Sequence, residues 1–489
     1  MEKFVEPLQW IGEISAVSPP HKLFHKFVDS RYSFLLESGG SVSDFSRYSF
    51  LGSEPFLVFK SKGKQIEICE GDQSQRFWGD PFDVLKMLIS QYNLASSGHS
   101  PFPGGAVGYF GYDLCHFMEN LPRNSFDDLQ LPDCYLGFYD LVLTFDHLTG
   151  RLFISSSGLP EKEAARRREK AKWRLEETLD MLNKASREDF SVEEEYNIAG
   201  VSSNFSRPAY LDAVERAKEY IRAGDIFQVN LSQRFVCSRM ALPFIIYERL
   251  RRINPAPFAS FLNFPELAIV SASPERFLRI SGRKVQTRPI KGTRPRGRDS
   301  LEDKELAREL LESEKDKAEL IMIVDLERND LGRVCEYGSV RVPKLITLET
   351  YPTVFHLVST VEGVLKEDKD HIDCLRACFP GGSITGAPKI RAMEIIDQLE
   401  PNQRGVYTGS IGYIGFNGET DLNIVIRTMV MTGEKIYFHA GGGIVADSDP
   451  VTEYEETLHK ARALIETLIM GKGKEALKKG DRLLFVWKN

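Results

Sequence analysis

Cysteines at short, regular spacing are missing from this sequence. Its seven cysteines are odd in number, widely spread, and never form a CxxC pair. Disulfide frameworks and structural zinc sites both need closely and regularly spaced cysteines. The pattern therefore argues against a disulfide-stapled scaffold and against a zinc module, and it favours a reduced compartment. The seven positions are Cys69, Cys115, Cys134, Cys237, Cys335, Cys374 and Cys378.

Long apolar runs and excess positive charge are also missing. No apolar run reaches the ~18 residues that a membrane helix needs, and the N-terminus, MEKFVEPLQWIGEI, lacks the charged start and apolar core of a signal peptide. The formal net charge is −7, and the one dense basic run, 166–172, is interleaved with glutamate. We therefore expect a cytoplasmic protein whose partners include neither nucleic acid nor a membrane.

The composition that is present is that of a soluble globular protein. The 489 residues are 42% hydrophobic and 27% charged, close to the usual average. Short apolar runs separated by Gly, Pro and Ser dominate the first 155 residues, and a charged helical pattern over 160–184 leads into a polar stretch at 185–206. Strand-like runs come in adjacent groups, which predicts an α+β fold of large antiparallel sheets with helices outside.

This pattern divides the chain into three parts. We predict an N-terminal region over 1–190, a catalytic region over 205–470 and a C-terminal tail over 471–489. In the second part, Pro208 and Gly224 bracket a helix of about four turns, and a long charged helix is predicted over 302–327.

The last predicted helix carries two carboxylates and an amine on one face. Glu453, Glu456 and Lys460 are spaced i, i+3 and i+7, so they share that face. Carboxylates there can hold a hard cation beside an anionic ligand. Three glycines, 441–443, come shortly before and can present backbone N–H groups to an anion. A solvated helix face and a tight strand turn are the plain alternatives.

Four further features could contribute chemistry. GGSITGAPK, 381–389, is a glycine-rich turn before a helix, but it lacks the spacing of a P-loop. Lys291 lies in RPIKGTRPRG, and a lysine is a nucleophile only when neutral, which needs a lowered pKa. Glu275 follows a proline at a strand end and could donate a proton. Glu319 lies where a charged helix turns apolar. Each could equally be an ordinary surface residue.

Taken together, these motifs resemble one family. RPIKGTRPRG, KDKAELIMIVDLERNDLGRV, FPGGSITGAPK, GSIGYIGF, IRT, AGGGIVADSDP and EYEETLHKA occur in this order. The chain is similar to the chorismate-utilising enzymes, which include the large subunits of anthranilate and aminodeoxychorismate synthases and the isochorismate and salicylate synthases. The resemblance covers 205–470 strongly and 1–155 weakly. It implies two large packed antiparallel sheets with helices outside and the active site between them.

The resemblance also implies roles for individual residues. Glu319 and Glu456 would hold Mg²⁺, with Glu453 acting through water, and the metal would bind the ring carboxylate of chorismate. Other groups would bind the substrate: Arg427, Tyr407 and the amides of Gly441, Gly442 and Gly443 at the enolpyruvyl carboxylate, Gly292 and Thr293 at the ring, His356 beside the ring carboxylate, and Lys460 as added positive charge.

Two positions distinguish the family members. Where isochorismate and salicylate synthases have a lysine that activates water, this chain has Gln228, which cannot act as a base, so we expect ammonia as the nucleophile. Lys291 in PIKGT resembles the aminodeoxychorismate synthases, whereas anthranilate synthases usually have alanine. In that branch Lys291 attacks carbon 2 of chorismate, Glu275 protonates the departing carbon 4 hydroxyl, and ammonia then replaces the lysine. The product, 4-amino-4-deoxychorismate, leads to 4-aminobenzoate and folate.

The resemblance implies a partner as well, because ammonia in this family comes from a glutamine amidotransferase. LLES at 35–38 and NPAPF at 254–258 are close to the anthranilate synthase pattern. In relatives the matching residues form a tryptophan pocket: Ser38, Phe45, Ser46, Arg47, Tyr48, Pro257, Phe258 and Ala259. An anthranilate synthase large subunit, or a non-catalytic subunit that binds tryptophan or chorismate, remains an alternative; packing of the N-terminal sheet is the plain reading of these segments.

Overall fold

The computed structural model describes residues 3–5, 9–14, 18–39, 46–95, 100–184, 200–239, 241–351 and 354–469. The predicted tail at 471–489, most of the polar stretch at 185–206, and Phe45 lie outside these residues. The strands are β1 (Lys3–Val5), β2 (Gln9–Ile14), β3 (Ser33–Glu37), β4 (Tyr48–Gly52), β5 (Leu57–Lys62), β6 (Gln65–Glu70), β7 (Gln73–Trp78), β8 (Gly105–Phe110), β9 (Cys134–Tyr139), β10 (Leu141–Asp146), β11 (Arg151–Ser156), β12 (Ser202–Ser203), β13 (Gln228–Ser238), β14 (Phe258–Asn263), β15 (Leu267–Ser273), β16 (Arg276–Ser281), β17 (Lys284–Arg288), β18 (Ile290–Pro295), β19 (Arg341–Thr350), β20 (Val354–Val364), β21 (Gly386–Ala387), β22 (Ser410–Gly415), β23 (Glu419–Asn423), β24 (Thr428–Thr432) and β25 (Lys435–Ile444). The helices are α1 (Pro20–Phe24), α2 (Pro81–Ser90), α3 (Ala164–Asn183), α4 (Arg207–Arg222), α5 (Pro243–Ile253), α6 (Ser300–Glu312), α7 (Glu314–Val334), α8 (His371–Cys378), α9 (Lys389–Leu399) and α10 (Pro450–Leu468).

Two large antiparallel sheets contain these strands. Within the described ranges, sheet one has 13 strands in the order β1-β2-β11-β10-β4-β3-β14-β15-β24-β25-β13-β12, with β21 pairing β13. Sheet two has 12 strands in the order β18-β20-β17-β16-β23-β22-β8-β9-β5-β6-β7, with β19 pairing β20. Both sheets draw strands from the first 155 residues and from the second half of the chain. The predicted α+β fold of two large packed sheets is confirmed.

Apolar side chains from both sheets form a shared core between them. Phe50 of sheet one meets Tyr413 of sheet two with ring centroids 5.3 Å apart, and Tyr135 stacks on Phe264 at 4.0 Å. Burying one such side chain stabilises the fold by about 1.5–3 kcal/mol. Strands such as β8 and β9 are buried at every residue and hence on both faces, which explains the nearly continuous apolar runs seen in the sequence.

Helices cover the outer faces. The helices α5 and α10 pack on β15 and β25 of sheet one, and α7 packs on β20 of sheet two. None of the helices in the described part of the chain is long and apolar enough to cross a membrane.

Local capping residues set several helix ends. Ser206 caps α4 by accepting a hydrogen bond from the backbone N–H of Ala209. Pro208 lies in the first turn of α4, and Gly224 adopts a φ of +82° just past its end, as the sequence predicts for these two residues. The single helix predicted over 302–327 is wrong, because the segment forms α6 and α7. Ser313 ends α6 in an extended conformation and its side chain then caps α7 at Asp316.

Candidate active site

A cavity of about 170 Å³ lies between the two sheets. Strands β13 and β25 of sheet one and β18 and β20 of sheet two contribute to its walls. The lining residues are Asn230, Pro274, Glu275, Ile290, Lys291, Gly292, Thr293, His356, Ser383, Ile384, Tyr407, Ile426, Arg427, His439, Ala440, Gly441, Gly443 and Lys460. Most of the residues proposed from the sequence therefore surround one space, although they come from distant parts of the chain.

Lys291 and Glu275 lie together on one wall. Glu275 follows β15 and is buried, and its Oε1 accepts a hydrogen bond from the Ile290 backbone N–H at 3.4 Å. Lys291 is the second residue of β18, and its Nζ donates to the Ser383 carbonyl at 3.4 Å. Desolvation lowers the pKa of Lys291 and raises the pKa of Glu275. Both shifts favour the neutral forms, a free amine and a protonated acid.

Gly292 and Thr293 continue the same wall. Gly292 has a φ of +69°, and an added Cβ would lie 2.8 Å from Leu310, so only glycine fits there. Thr293 Oγ1 and His356 Nδ1 are 2.9 Å apart. Burial lowers the pKa of His356 to about 4, and its Nε2 has no hydrogen-bond partner among the described residues. His356 is therefore a neutral imidazole available to a ligand.

Arg427 and Tyr407 also line the cavity. Arg427 precedes β24 with a φ of +51°, and its Nη1 donates to Asn254 Oδ1 at 3.4 Å. Tyr407 stacks on His439 with centroids 4.6 Å apart and planes 6° apart. Burial raises the pKa of Tyr407 to about 12, so its hydroxyl remains a proton donor. Together they offer a cation and a hydrogen-bond donor, which suits a carboxylate.

The three glycines lie in strand β25 and not in a loop. Their pairing partners in β13 are Ser232, Leu231 and Asn230 in that order. The neighbouring strand β24 pairs with β25 only as far as Phe438, which leaves the glycine segment without a ladder partner on that edge in the described strands. Gly441 and Gly443 line the cavity, whereas Gly442 does not.

Close packing explains why these positions are glycine. A Cβ on Gly443 would lie 2.6 Å from Gln228 Nε2, and one on Gly441 would lie 2.6 Å from the Leu231 carbonyl oxygen. A Cβ on Gly442 would instead point to Glu453, 3.1 Å from its Oε2. Side chains alternate along a strand, so the glycine run meets the cavity on one face and helix α10 on the other.

Two carboxylates, Glu453 and Glu456, lie beside Gly442, and Glu319 is close enough to Glu456 to interact with its charge. Burial raises the pKa of Glu319 and of Glu453, and Glu456 contributes to both shifts as a neighbouring negative charge. Burial also opposes ionisation of Glu456, but Lys460 outweighs it and holds the pKa of Glu456 below the usual value. Lys460 Nζ lies 2.6 Å from Glu456 Oε1 and also donates to the Gly441 carbonyl at 2.9 Å.

These carboxylates fit a magnesium ion in kind. Mg²⁺ takes oxygen ligands and is commonly bound through one or two carboxylates, with water and substrate oxygens completing its shell. Among the residues that the structure describes, no three potential ligands lie close enough together to form a preformed metal centre. Glu319 and Glu456 supply carboxylate oxygens of the kind that Mg²⁺ takes, and Glu453 lies near Glu456.

A second and larger cavity, of about 570 Å³, lies elsewhere between the sheets. Six of the residues proposed for a tryptophan pocket line it: Ser38, Arg47, Tyr48, Pro257, Phe258 and Ala259. Ser46 is buried but does not line this cavity. The wall also includes Glu37, whose carboxyl has a pKa of about 2: burial opposes its ionisation, but His21 and Arg251 outweigh burial.

Sequence reasoning assigned no role to several residues of the first cavity. Ser383, which interacts with Glu275, lies in the GGSITGAPK segment. The sequence indicated a glycine-rich turn there but gave no role to the Ser383 side chain. Asn230, Ile384 and His439 also line the cavity. The pairing of β13 with β25 brings Asn230 there, and no spacing in the sequence indicates which strands pair.

Comparison with known proteins identifies the family. Residues 34–466 match the family model described as chorismate binding enzyme. The chain is 48% identical to anthranilate synthase component 1 of Thermus thermophilus over 441 residues, 90% of this chain and 92% of that one. It is 40% identical to aminodeoxychorismate synthase component 1 of Bacillus subtilis over 448 residues, 91% and 93% of the two chains.

A solved structure agrees with these matches. The crystal structure of anthranilate synthase component I from Streptococcus pneumoniae superposes with a TM-score of 0.77 at 34% identity, covering 86% of this chain and 93% of that one. The chain therefore belongs to the chorismate binding enzyme family and is a chorismate-utilising enzyme.

Proposed function

We propose that this protein aminates chorismate with ammonia at carbon 4, giving 4-amino-4-deoxychorismate for 4-aminobenzoate and folate synthesis. The relatives of this chain include both aminodeoxychorismate synthases and anthranilate synthases, so the proposal must choose between these two types. The observation that supports the first type is Lys291, which lines the cavity beside Glu275 and has a pKa lowered by desolvation. An amine in that position suits a covalent route.

The proposed chemistry uses Lys291 and Glu275 in sequence. The Lys291 nitrogen forms a bond to carbon 2 of chorismate, both ring double bonds shift, and the bond from carbon 4 to its hydroxyl breaks. Glu275 supplies the proton with which that hydroxyl leaves as water. Ammonia then bonds to carbon 4, both double bonds shift back, and the bond between carbon 2 and Lys291 breaks. The Glu275 carboxylate takes back a proton from the added nitrogen. Net, chorismate and ammonia give the amino product and water.

Gln228 supports ammonia rather than water as the nucleophile. Its side chain is fully buried beside Gly443. Neither Nε2 nor Oε1 has a hydrogen-bond partner among the described residues. An amide has no basic nitrogen, so it cannot deprotonate water, whereas ammonia is already nucleophilic without a base.

The cavity supplies the positive charge that a dianionic substrate needs. Arg427 and Lys460 reach it from two sides, although the protein as a whole is acidic. We assign Arg427 and Tyr407 to the enolpyruvyl carboxylate and the neutral His356 to the ring carboxylate. Local charge and not net charge then determines binding.

Magnesium belongs to the same proposal. Glu319 and Glu456 would hold it, with Glu453 bonded to Ser448 Oγ at 2.6 Å and able to accept from a bound water. When bound, Mg²⁺ withdraws charge through the ring carboxylate. The residues of the chain then orient the substrate and move the protons.

The ammonia would come from a partner glutamine amidotransferase subunit. Amidotransferase chemistry of the kind we expect uses a reactive cysteine, and cysteine reactivity needs a lowered thiol pKa. Six of the seven cysteines are buried, and burial raises the pKa of Cys115 and Cys134 well above its usual value. This supports glutamine hydrolysis on a separate chain, so that the amide nitrogen of glutamine is transferred.

A second candidate, anthranilate synthase, is favoured by one specific observation. The cavity of about 570 Å³ is lined by the segments that match a tryptophan pocket, and the Thermus thermophilus relative at 48% identity is an anthranilate synthase. In that case the product would be anthranilate, and Lys291 would serve only as a charged group of the cavity.

A product assay tests the proposal. The purified chain is incubated with chorismate, Mg²⁺ and an ammonium salt at mildly alkaline pH, with and without added aminodeoxychorismate lyase, and products are identified by chromatography and mass. We expect 4-aminobenzoate only in the sample with lyase. Anthranilate without lyase would overturn the proposal in favour of the second candidate, and unchanged chorismate would overturn both.

Replacing ammonium by glutamine tests the partner. The chain alone should then form no product, and adding a glutamine amidotransferase subunit of this enzyme class should restore it. Product from glutamine with the chain alone would contradict the need for a partner.

A further inference from the structure

One ion pair behind the cavity, formed by Arg404 and Glu400, is completely enclosed. Both residues follow α9, and their side chains are 1% and 4% exposed. Neither lines the cavity. A buried ion pair is costly to desolvate and can often be replaced by apolar packing. This pair differs because both side chains also hydrogen bond to other parts of the chain.

Arg404 uses every N–H of its guanidinium group. Nε and Nη2 donate to the two oxygens of Glu400 at 2.9 and 2.7 Å. Nη1 donates to the Ile384 carbonyl at 3.0 Å and to Thr408 Oγ1 at 3.3 Å, and Nη2 also donates to the Asn230 carbonyl at 2.7 Å. These five bonds match the five donors of an arginine.

Two of those acceptors, Asn230 and Ile384, line the cavity, and the third, Thr408, follows the lining residue Tyr407. Asn230 is in β13, and Ile384 is in the turn before β21. Glu400 extends the contact along β13, since its Oε1 accepts from both the backbone N–H and the hydroxyl of Ser232 at 2.8 and 2.9 Å.

The ion pair is connected to Tyr407 through its ring and through the next residue. The Arg404 guanidinium lies 5.7 Å from the Tyr407 ring centroid. Thr408 Oγ1, which accepts a hydrogen bond from Arg404 Nη1, donates to the Tyr407 carbonyl at 2.6 Å. Asn230 and Ser232, which the pair also contacts, lie close enough to the Tyr407 side chain to affect its pKa.

We propose that the Arg404–Glu400 pair is a positioning unit that fixes Tyr407 and the walls at Asn230 and Ile384 in the geometry that binds the substrate carboxylate. It rests on the proposed function, because it assigns Tyr407 to that carboxylate. Arg404 does not contact the substrate itself, since all its donors are already used. Its removal loosens substrate binding by allowing these parts of the cavity to separate.

The chain offers a matched control on the same strand. Arg234 lies in β13, and it pairs with Asp128 through two bonds of 2.9 and 2.6 Å. Arg234 is buried but does not line the cavity. Arg234→Lys and Arg404→Lys therefore disturb similar buried ion pairs, and only Arg404 has a guanidinium that donates hydrogen bonds to residues lining the cavity, Asn230 and Ile384.

The experiment compares chorismate affinity with stability. Isothermal titration gives the Kd of chorismate in the presence of Mg²⁺, steady-state assays give KM and kcat, and thermal unfolding gives Tm. We expect Arg404→Lys to raise Kd and KM about tenfold, the size expected from losing one charge-assisted hydrogen bond, with kcat reduced less. Both lysine variants should lower Tm, and Arg234→Lys should leave Kd within about twofold.

A milder variant covers the case in which Arg404→Lys does not fold. Thr408→Val keeps the ion pair and removes the Thr408 hydroxyl, which accepts from Arg404 and donates to the Tyr407 carbonyl, and it should raise Kd about two- to fivefold. The proposal is overturned if the folded variants lower Tm without changing Kd, or if the Arg234→Lys control raises Kd equally. Product identity is determined separately, so a wild type that binds chorismate but makes anthranilate contradicts the proposed function and not the positioning role.

Discussion

At the scale of single residues, desolvation in the cavity shifts the pKa values of Lys291 and Glu275 in opposite directions. The same burial that lowers the pKa of the amine raises the pKa of the acid, so each group moves towards its neutral form. Each group also opposes the other's shift, because the charged forms attract. A nucleophile and a proton donor can therefore coexist in one dry space, whereas on the surface they would form an ion pair.

Replacing Lys291 tests its covalent role. We expect Lys291→Ala to reduce formation of the 4-amino product by on the order of 10³-fold or more, as removal of a catalytic nucleophile does elsewhere. Since chorismate would still meet Arg427, its Kd should change much less. Product assays and titration with chorismate measure both quantities.

Lys344→Ala is the control for that substitution, because Lys344 is exposed on β19 and should leave both quantities unchanged. Unchanged production of the 4-amino product by Lys291→Ala would contradict the covalent role.

The pH dependence of kcat/KM should report both groups. Lys291 reacts only when neutral, so activity rises as pH increases through its pKa, which burial places below the usual lysine value. Glu275 donates only when protonated, so activity falls as pH increases through its raised pKa. We expect a bell-shaped profile when the free ammonia concentration is held constant.

In Glu275→Gln the descending limb of that profile should disappear. The ascending limb should move to lower pH, because the Glu275 carboxylate holds the pKa of Lys291 up, and the maximum rate should fall by about 10²–10⁴-fold. A descending limb that persists in this variant would show that another group donates the proton.

At the scale of elements, strand β25 and helix α10 form one functional unit. The strand presents alternate glycines to the cavity, and the helix places Glu453 and Glu456 against the glycine between them. Gly443 cannot accept a side chain, because Gln228 already occupies the space above it. The unit thus combines a close backbone approach on one face with carboxylates on the other.

Gly443→Ala should therefore damage binding more than folding. The new methyl group would lie 2.6 Å from Gln228 Nε2, a contact that pushes the amide towards the cavity. We expect the KM for chorismate to rise about tenfold, as for about 1.4 kcal/mol of lost binding. Steady-state kinetics and thermal unfolding measure the two effects.

Gly332→Ala in α7 is the matched control, because nothing lies within 4 Å of its added Cβ. That substitution should leave KM unchanged and stabilise the helix by roughly 0.5–1 kcal/mol. An unchanged KM in Gly443→Ala would show that Gln228 can move aside.

Sequence patterns predicted the fold class and the helix that begins near Pro208 and ends before Gly224, and the family resemblance named ten of the residues that line the smaller cavity. They failed where neighbouring segments meet in space. The predicted helix over 302–327 is interrupted at Ser313. Charged residues surround Ser313 on both sides, so the sequence did not distinguish this helix cap from the polar face of a continuous helix. Asn230 and His439 reach the cavity through strand pairing. Gly442 faces α10, because the side on which a strand residue lies depends on register.

At the scale of the whole molecule, the two cavities are close along the chain. Asn423 lines the larger cavity and Arg427 lines the smaller one, only four residues later. Asn423 Nδ2 donates to the Phe258 carbonyl at 3.3 Å, and Arg427 Nη1 donates to Asn254 in the segment that leads to Phe258. One stretch of chain therefore contacts both spaces, which makes an effect of one ligand on the other physically reasonable.

The larger cavity should bind L-tryptophan. It combines aromatic and apolar walls, from Tyr48, Pro257 and Phe258, with charges of both signs. Arg251 and Tyr247 already hydrogen bond to the Glu37 carboxylate, whereas Arg279 makes no ion pair with any described residue, so the carboxylate of a free amino acid could meet Arg279. Binding to the folded state alone raises Tm as the ligand concentration exceeds Kd, and we expect L-tryptophan to raise Tm while L-phenylalanine raises it less.

Arg279→Gln should weaken that binding about tenfold, because the variant loses a charged partner for the ligand carboxylate. Arg341→Gln is the control. Arg341 is an exposed arginine on β19 that pairs with Glu362 at 3.2 Å, and this variant should bind tryptophan as the wild type does. Repeating the chorismate titration with tryptophan present then measures the coupling of the two cavities: a changed Kd indicates regulation through the 423–427 stretch, and an unchanged Kd indicates a structural ligand. If millimolar L-tryptophan leaves Tm unchanged, the larger cavity does not bind tryptophan, and its similarity to a tryptophan pocket is one of sequence alone.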